Sequence, residues 1–101
     1  ISGIGTYKWS DGRVYKGEFL NNKMTGQGKT TWENGSYYEG SYKNDLRDGY
    51  GVWHCVDGSN TYTQTGMWLN SLLHGNVTYK DNNTEYRGIF RRGKLIKKFT
   101  N

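Results

Sequence analysis

The sequence is short of almost everything a conventional core is made from. Leu, Ile and Val are few, and hydrophobic residues fill 33% of its 101 positions, a share dominated by nine Tyr, four Trp and three Phe. One domain at most is expected, and an aliphatic core is not. No run approaches the roughly 20 apolar residues a membrane span needs, and no charged-then-apolar leader is visible. A single cysteine, Cys55, excludes an internal disulfide and leans towards a reducing compartment, so an intracellular setting is expected. The chain opens "ISGIG" without Met, which suggests a piece of something longer. Acidic side chains are missing from the C-terminal end. Residues 1–85 carry eight basic and nine acidic groups, whereas residues 86–101 carry six basic and none acidic. The net charge of +5 is therefore local.

What the chain has instead is glycine and aromatics at regular spacing. "YKGEF" (15–19), "YEGSY" (38–42), "QTGMW" (64–68) and "YRGIF" (86–90) share one pattern. Nine residues beyond each of the first three glycines stands another, opening "GQG", "GYG" and "GNV". Turn glycines follow at "DG" (11–12), "NG" (34–35) and "DG" (57–58). The period is 23 residues, lengthened by three within "DGSNTYTQTG" (57–66). On a strand, Tyr15, Gly17 and Phe19 share one face and Lys16 and Glu18 the other. A helix would scatter these positions and would be weakened by so much glycine. Asn-Gly and Asp-Gly between alternating runs are strong hairpin signals, and "LNNKMTG" and "KNDLRDG" read as longer polar connections. The expected fold is all-β: an elongated, single-layer antiparallel meander of about eight short strands, two per repeat. One hairpin alone is marginal in water. Stacked hairpins would let Trp9, Phe19, Trp32, Tyr42, Trp53, Trp68, Tyr79 and Phe90 form a continuous layer, with glycines as gaps for neighbouring rings.

"YKGEFLNNKMTGQGKTTWENG" and "YEGSYKNDLRDGYGVWHCVDG" resemble MORN repeats (membrane occupation and recognition nexus), and the likeness extends over residues 3–93. It implies a twisted ribbon of β-hairpins with a groove on one side, and non-enzymatic work. That work would be scaffolding, in a cytoskeletal or ciliary assembly, or placing an attached enzyme near a membrane. Residues 1–93 are read as about four repeats, the first and last incomplete, and residues 94–101 as a basic tail. Gln64 replaces an aromatic of the third repeat, Val77 replaces a glycine, and Asn83 stands at the turn glycine. End-capping accounts for this, since terminal repeats are commonly atypical; the other account is a bend or partner contact at an extra loop, 59–65.

No active site is legible. His54 and Cys55 are adjacent, but strand neighbours point to opposite faces, so His54 does not serve Cys55 as a base. Cys55 takes a position held by Trp9 and Trp32 in other repeats, as a small hydrophobe would. His74 reads as a solvated loop residue. Two histidines and one cysteine without ligand spacing make no metal site. "GQG" and "GYG" precede no helix, so they are not phosphate loops. No cofactor is expected. Asp11, Asp45, Asp48 and Asp57 read as turn formers. Binding is the better expectation: a single-layer ribbon has no second layer to cover its rings. Trp9, Trp32, Trp53, Trp68 and Tyr79 are the candidate partner-binding face, holding a peptide or helix of another protein. The runner-up is an anionic-lipid (phosphoinositide) adaptor acting through Arg91, Arg92, Lys94, Lys97 and Lys98. At about 1 kcal/mol per charge these supply roughly 5 kcal/mol, a dissociation constant of order 0.1 mM, short of stable anchoring. Nucleic acid is a poor fit to a near-neutral body. Self-association is expected to be open to a ribbon with unpaired end strands.

Overall fold

Alternating side chains and punctual turns build one open antiparallel sheet. The computed structural model describes residues 2–99, in which no helix occurs. The strands are β1 (Gly3–Lys8), β2 (Val14–Leu20), β3 (Lys23–Thr31), β4 (Tyr37–Lys43), β5 (Leu46–Asp57), β6 (Asn60–Leu69), β7 (Leu72–Asp81), β8 (Glu85–Arg91) and β9 (Lys94–Phe99). Their spatial order is their chain order. The result is a slab of 46 × 28 × 16 Å, one sheet thick. The meander is as expected, but it has nine strands rather than about eight. The basic stretch from Lys94 is not a free tail: it pairs with β8 from Arg91↔Lys94 to Arg87↔Phe99. Thr100 and Asn101, the end of the expected tail, lie outside the described residues.

The register carries the logic of the repeat. Gly5, Gly17, Gly28, Gly40, Gly51 and Gly66 stand directly opposite one another across β1–β6, and the row continues through Val77 to Gly88. Beside it, Tyr15 and Tyr38 are fully buried although the sheet is a single layer. Each lays its ring over a glycine pair, one on its own strand and one on the next (Gly17 and Gly28 for Tyr15, Gly40 and Gly51 for Tyr38), and its hydroxyl donates to the carbonyl three residues on, at Glu18 (2.9 Å) and Ser41 (3.0 Å). A Cβ on Gly28 or Gly51 would fall inside the phenol. Bare backbone thus makes the socket, and the tyrosine of the Tyr-x-Gly motif is the plug. These two rings, absent from the expected layer, are its centre. The expected layer takes the last aromatic of each motif together with Trp9, Trp32, Trp53 and Tyr79, whereas the glycine row sits under the motif's first aromatic.

The rings then bridge strands that do not touch. Tyr15 on β2 meets Tyr42 on β4 at 5.2 Å, and Tyr38 on β4 meets Trp68 on β6 at 5.4 Å, both edge to face. Such pairs contribute about 0.5–1.5 kcal/mol each beyond their buried area. Trp68, Leu73, Val77 and Phe90 carry the buried line onward. The third repeat keeps the volume with different residues. Where the other repeats have the motif tyrosine this one has Gln64, and Val77, only 2% exposed, packs against Gly66 from the opposite strand.

Turn chemistry departs from expectation in an informative way. Asn21-Asn22, Asn44-Asp45 and Asn70-Ser71 are two-residue turns with both φ positive, between +50° and +69°. That is the signature of type I′ hairpins, which Asn and Asp tolerate. "LNNK" and "KNDL" are therefore the tight turns, not longer connections. "SDG" and "ENG" form slightly wider loops, in which Gly12 and Gly35 take positive φ after a hydrogen-bonded turn closed on Trp9 and Trp32. Nor is 59–65 an extra loop. Gly58-Ser59 closes a two-residue turn, and the threonine-rich run Thr61-Tyr62-Thr63-Gln64-Thr65 extends the ladder down to Asp57↔Asn60. The three additional residues lengthen a hairpin instead of bulging from it.

Candidate groove on the ring-bearing face

The face that carries the glycine row also carries a groove. Before each type I′ turn the even strand bulges, between Gly17 and Phe19, Gly40 and Tyr42, and Gly66 and Trp68. A bulge bends and twists its strand. The turn of each hairpin is tied to the previous one by a backbone bond: Asp45 N to Met24 O (3.0 Å), Ser71 N to Arg47 O (2.8 Å) and Gly93 N to Leu73 O (2.9 Å). Side chains complete two of these ties, Asp45 Oδ1 accepting from Met24 N (2.8 Å) and Ser71 Oγ from Arg47 N (3.1 Å). The opposite edge is laced by Asn34 Nδ2 to Val56 O and by Val56 N to Ser36 Oγ.

Between these fixed edges lie two adjoining hollows on the ring-bearing face. One, of about 170 Å³, is bounded by Trp9, Trp32, Tyr42, Arg13, Asp45 and Arg47. The other, of about 400 Å³, is bounded by Tyr7, Trp9, Phe19, Asn22, Met24 and Asp45. Trp9, Met24 and Asp45 form the shared wall. A larger hollow of about 510 Å³ at the C-terminal end has only Tyr86 and Phe99 as aromatic walls, among polar and charged residues.

Of the five aromatics expected to face a partner, Trp9 and Trp32 line this groove and Trp53 borders it, all three half-buried. Trp9 packs edge-on to Tyr7 at 4.8 Å, and Trp32 edge-on to Trp53 at 5.1 Å. Trp68 does not: it is 6% exposed, packs under Tyr38, and donates its indole N–H to Gly51 O. It is core. Tyr79 belongs to a separate stack, Tyr62–Tyr79–Tyr86, with ring planes 23–24° apart and centroids 5.0–5.6 Å apart. Its hydroxyl donates to Asp81 at 2.8 Å, and this bond, followed by burial, raises its pKa.

The five basic candidates are dispersed. Arg91 and Lys94 are directly opposite each other on β8 and β9, and Arg92 is in the turn. Lys98 sits beside Gly88 with its Nζ 4.4 Å from the Tyr86 ring, while Lys97 pairs with Ile89 and lies over Phe99. Alternation sends these last two to opposite faces. His54 stacks on Tyr37 at 5.1 Å on the far face, away from Cys55, which pairs with Tyr62. His74 is exposed on β7 rather than in a loop. Among the described residues no group of His, Cys, Asp and Glu could hold a metal ion.

Three features decide the relationship: the glycine row, the tyrosine plugs and the hairpin-to-hairpin ties recur at the period of the sequence pattern. The family profile described as the MORN repeat matches residues 1–12, 15–37 and 38–60, more than half of the chain. The chain belongs to the MORN-repeat family. No curated protein matches it in sequence. The matched MORN repeats end at residue 60, just before Gln64 and Val77 break the motif, yet the hairpin stacking runs on to Phe99.

Sequence reasoning missed Arg13, Met24 and Arg47 as groove residues. Aligning the MORN repeats on Gly26, Gly49 and Gly75 brings out Met24 and Arg47; Arg13, which follows the Asp11-Gly12 turn, has no such signal. Two places before each glycine stand Met24, Arg47 and Leu73, each opposite the last aromatic of its motif: Phe19, Tyr42 and Trp68.

Proposed function

We propose that this chain is a non-catalytic binding scaffold that holds a segment of a partner protein, extended or helical, in the groove of its ring-bearing face. One observation carries the reading. Trp9, Trp32 and Trp53 stay half-buried on a sheet that has no second layer, beside hollows bounded by further rings. Tryptophans in such settings are the residues on which interface energy concentrates. Both edges are fixed by inter-hairpin bonds, so the surface is pre-organised and little ordering is needed on binding. An intracellular setting within a cytoskeletal or ciliary assembly rests on the family likeness and on the lone cysteine.

The test is truncation of single rings. Trp32→Ala or Trp53→Ala should weaken a partner captured by crosslinking or co-purification by about 2 kcal/mol or more, with the sheet still folded by circular dichroism. If these variants only unfold the domain, the rings are core and the groove has lost its contacts.

A further inference from the structure

Arg47 stands out within the groove. Its guanidinium lies 4.7 Å from the Trp68 ring, 5.7 Å from Tyr38 and 5.8 Å from Trp53. Nη2 donates to the Ser71 carbonyl at 3.0 Å. Among the described residues no carboxylate comes within 4.0 Å of it, the one ion pair there being Arg13–Asp11. The other charges of the groove are engaged: Arg13 by Asp11 and by the Trp9 face, Asp45 by the Met24 amide. No buried side-chain nitrogen among the described residues lacks a partner, so the remaining donors of Arg47, a lining residue of the smaller hollow, are not sealed in the core.

Packing alone does not explain an arginine here. The equivalent places in the neighbouring repeats are filled by Met24 and Leu73, and an apolar side chain meets the need in both. Arg47 instead bears the cost of a partly desolvated charge, visible in its lowered pKa, whose first cause is burial. Three rings offset some of that cost. A carboxylate would offset more, because guanidinium and carboxylate meet in a two-pronged, charge-assisted geometry that lysine does not reproduce. The walls around it, Trp32, Trp53 and Tyr42, take bulky apolar groups.

We propose that Arg47 is the specificity anchor of the groove, and that the partner segment presents a single Asp or Glu carboxylate between bulky apolar residues. This rests on the groove reading above and narrows it to an acidic-apolar polypeptide.

The test begins with short random peptides displayed on phage and selected on the immobilised chain. Selected peptides should carry one acidic residue with aromatic or aliphatic neighbours. A synthetic copy, followed by fluorescence anisotropy, should lose roughly tenfold or more in affinity when that residue is changed to Asn or Gln. The same change should cost almost nothing against Arg47→Met, because the partner charge is gone. Arg47→Lys should fall between the two, and affinity for the unchanged chain should drop as NaCl is added. Peptides without an acidic residue overturn the proposal, as does an equal loss of both peptides on Arg47→Met, the result for an arginine that merely caps the rings. If Arg47→Met fails to fold, Arg47→Lys and the salt series decide: undiminished affinity in both overturns it. Peptides released by Trp32→Ala yet indifferent to Arg47 leave the groove standing and sink the acidic anchor. Peptides indifferent to Trp32→Ala as well sink both.

Discussion

Changing Gly51 to alanine should be far more damaging than its size suggests. The new Cβ would lie 2.6 Å from Cε1 of Tyr38 and nearer still to Cζ and the hydroxyl. Tyr38 cannot simply retreat. It is fully buried, edge-on to Tyr42 at 5.2 Å and to Trp68 at 5.4 Å, and its hydroxyl donates to Ser41 O. Overpacking a filled site costs about 1–3 kcal/mol. Losing the hydroxyl bond adds about 1 kcal/mol, and displacing one ring pair about 1 more. Restricting the unfolded chain returns only about 0.4–1 kcal/mol. The net loss is about 2–4 kcal/mol, a fall of roughly 10–25 °C in Tm for a domain of this size. Gly5→Ala is the control. It lies in the same glycine row, but its Cβ would meet only the Phe19 ring at 3.4 Å, an ordinary contact. Its midpoint should hold or rise slightly. Thermal unfolding followed by circular dichroism reads both. Equal, small shifts for the two variants would refute the socket account, because the cost would then be generic to glycine.

Three further outcomes follow from the same geometry. The third repeat pairs Gln64 with Val77, so Tyr38→Gln combined with Gly51→Val should cost about 1 kcal/mol or more less than the sum of the single changes; additive losses would show that Val77 is not a substitute plug. Burial raises the pKa of Tyr15 to about 12 and that of Tyr38 further. The neutral phenols are thus favoured in the fold, and their contribution is complete below about pH 10, the value in the unfolded chain. It is lost as pH climbs towards 12, so the unfolding midpoint should drop across that window and drop less for Tyr15→Phe. The basic groups divide between faces and turn, so liposomes with anionic headgroups should sediment little of the chain. Changing Arg91, Arg92, Lys97 and Lys98 to Gln should alter that little; strong, tail-dependent sedimentation would revive the lipid adaptor.

The strand meander could be read from the chain because its signal is period two, repeated at 23 residues, and aromatic-x-Gly permits no helical alternative. The turns were harder. Asn-Gly and Asp-Gly attract the eye as hairpin turns, but Asn21-Asn22 and Asn44-Asp45 reach positive φ without glycine, and there the chain reverses most tightly. Which aromatics become core was also hidden. Tyr38 and Trp53 are cross-strand partners, yet one is fully buried and the other half-buried. The difference lies in which ring has a glycine pair beneath it: Tyr38 lies on Gly40 of its own strand and Gly51 of the next, a property of the register between strands. Arg47 was invisible for a related reason: a lone arginine in "NDLRDG" looks like a solvated loop charge until the bulge and the turn tie bring it over Trp68.

The most direct test of the groove is a titration of the chain, uniformly labelled with nitrogen-15, with a peptide selected on it, following the four tryptophan indole N–H signals. Trp9, Trp32 and Trp53 should move on binding. Trp68, whose indole is held by Gly51 O in the core, should stay nearly fixed. Shifts confined to the opposite face, around Tyr37 and His54, with the three groove indoles unmoved, would contradict the account.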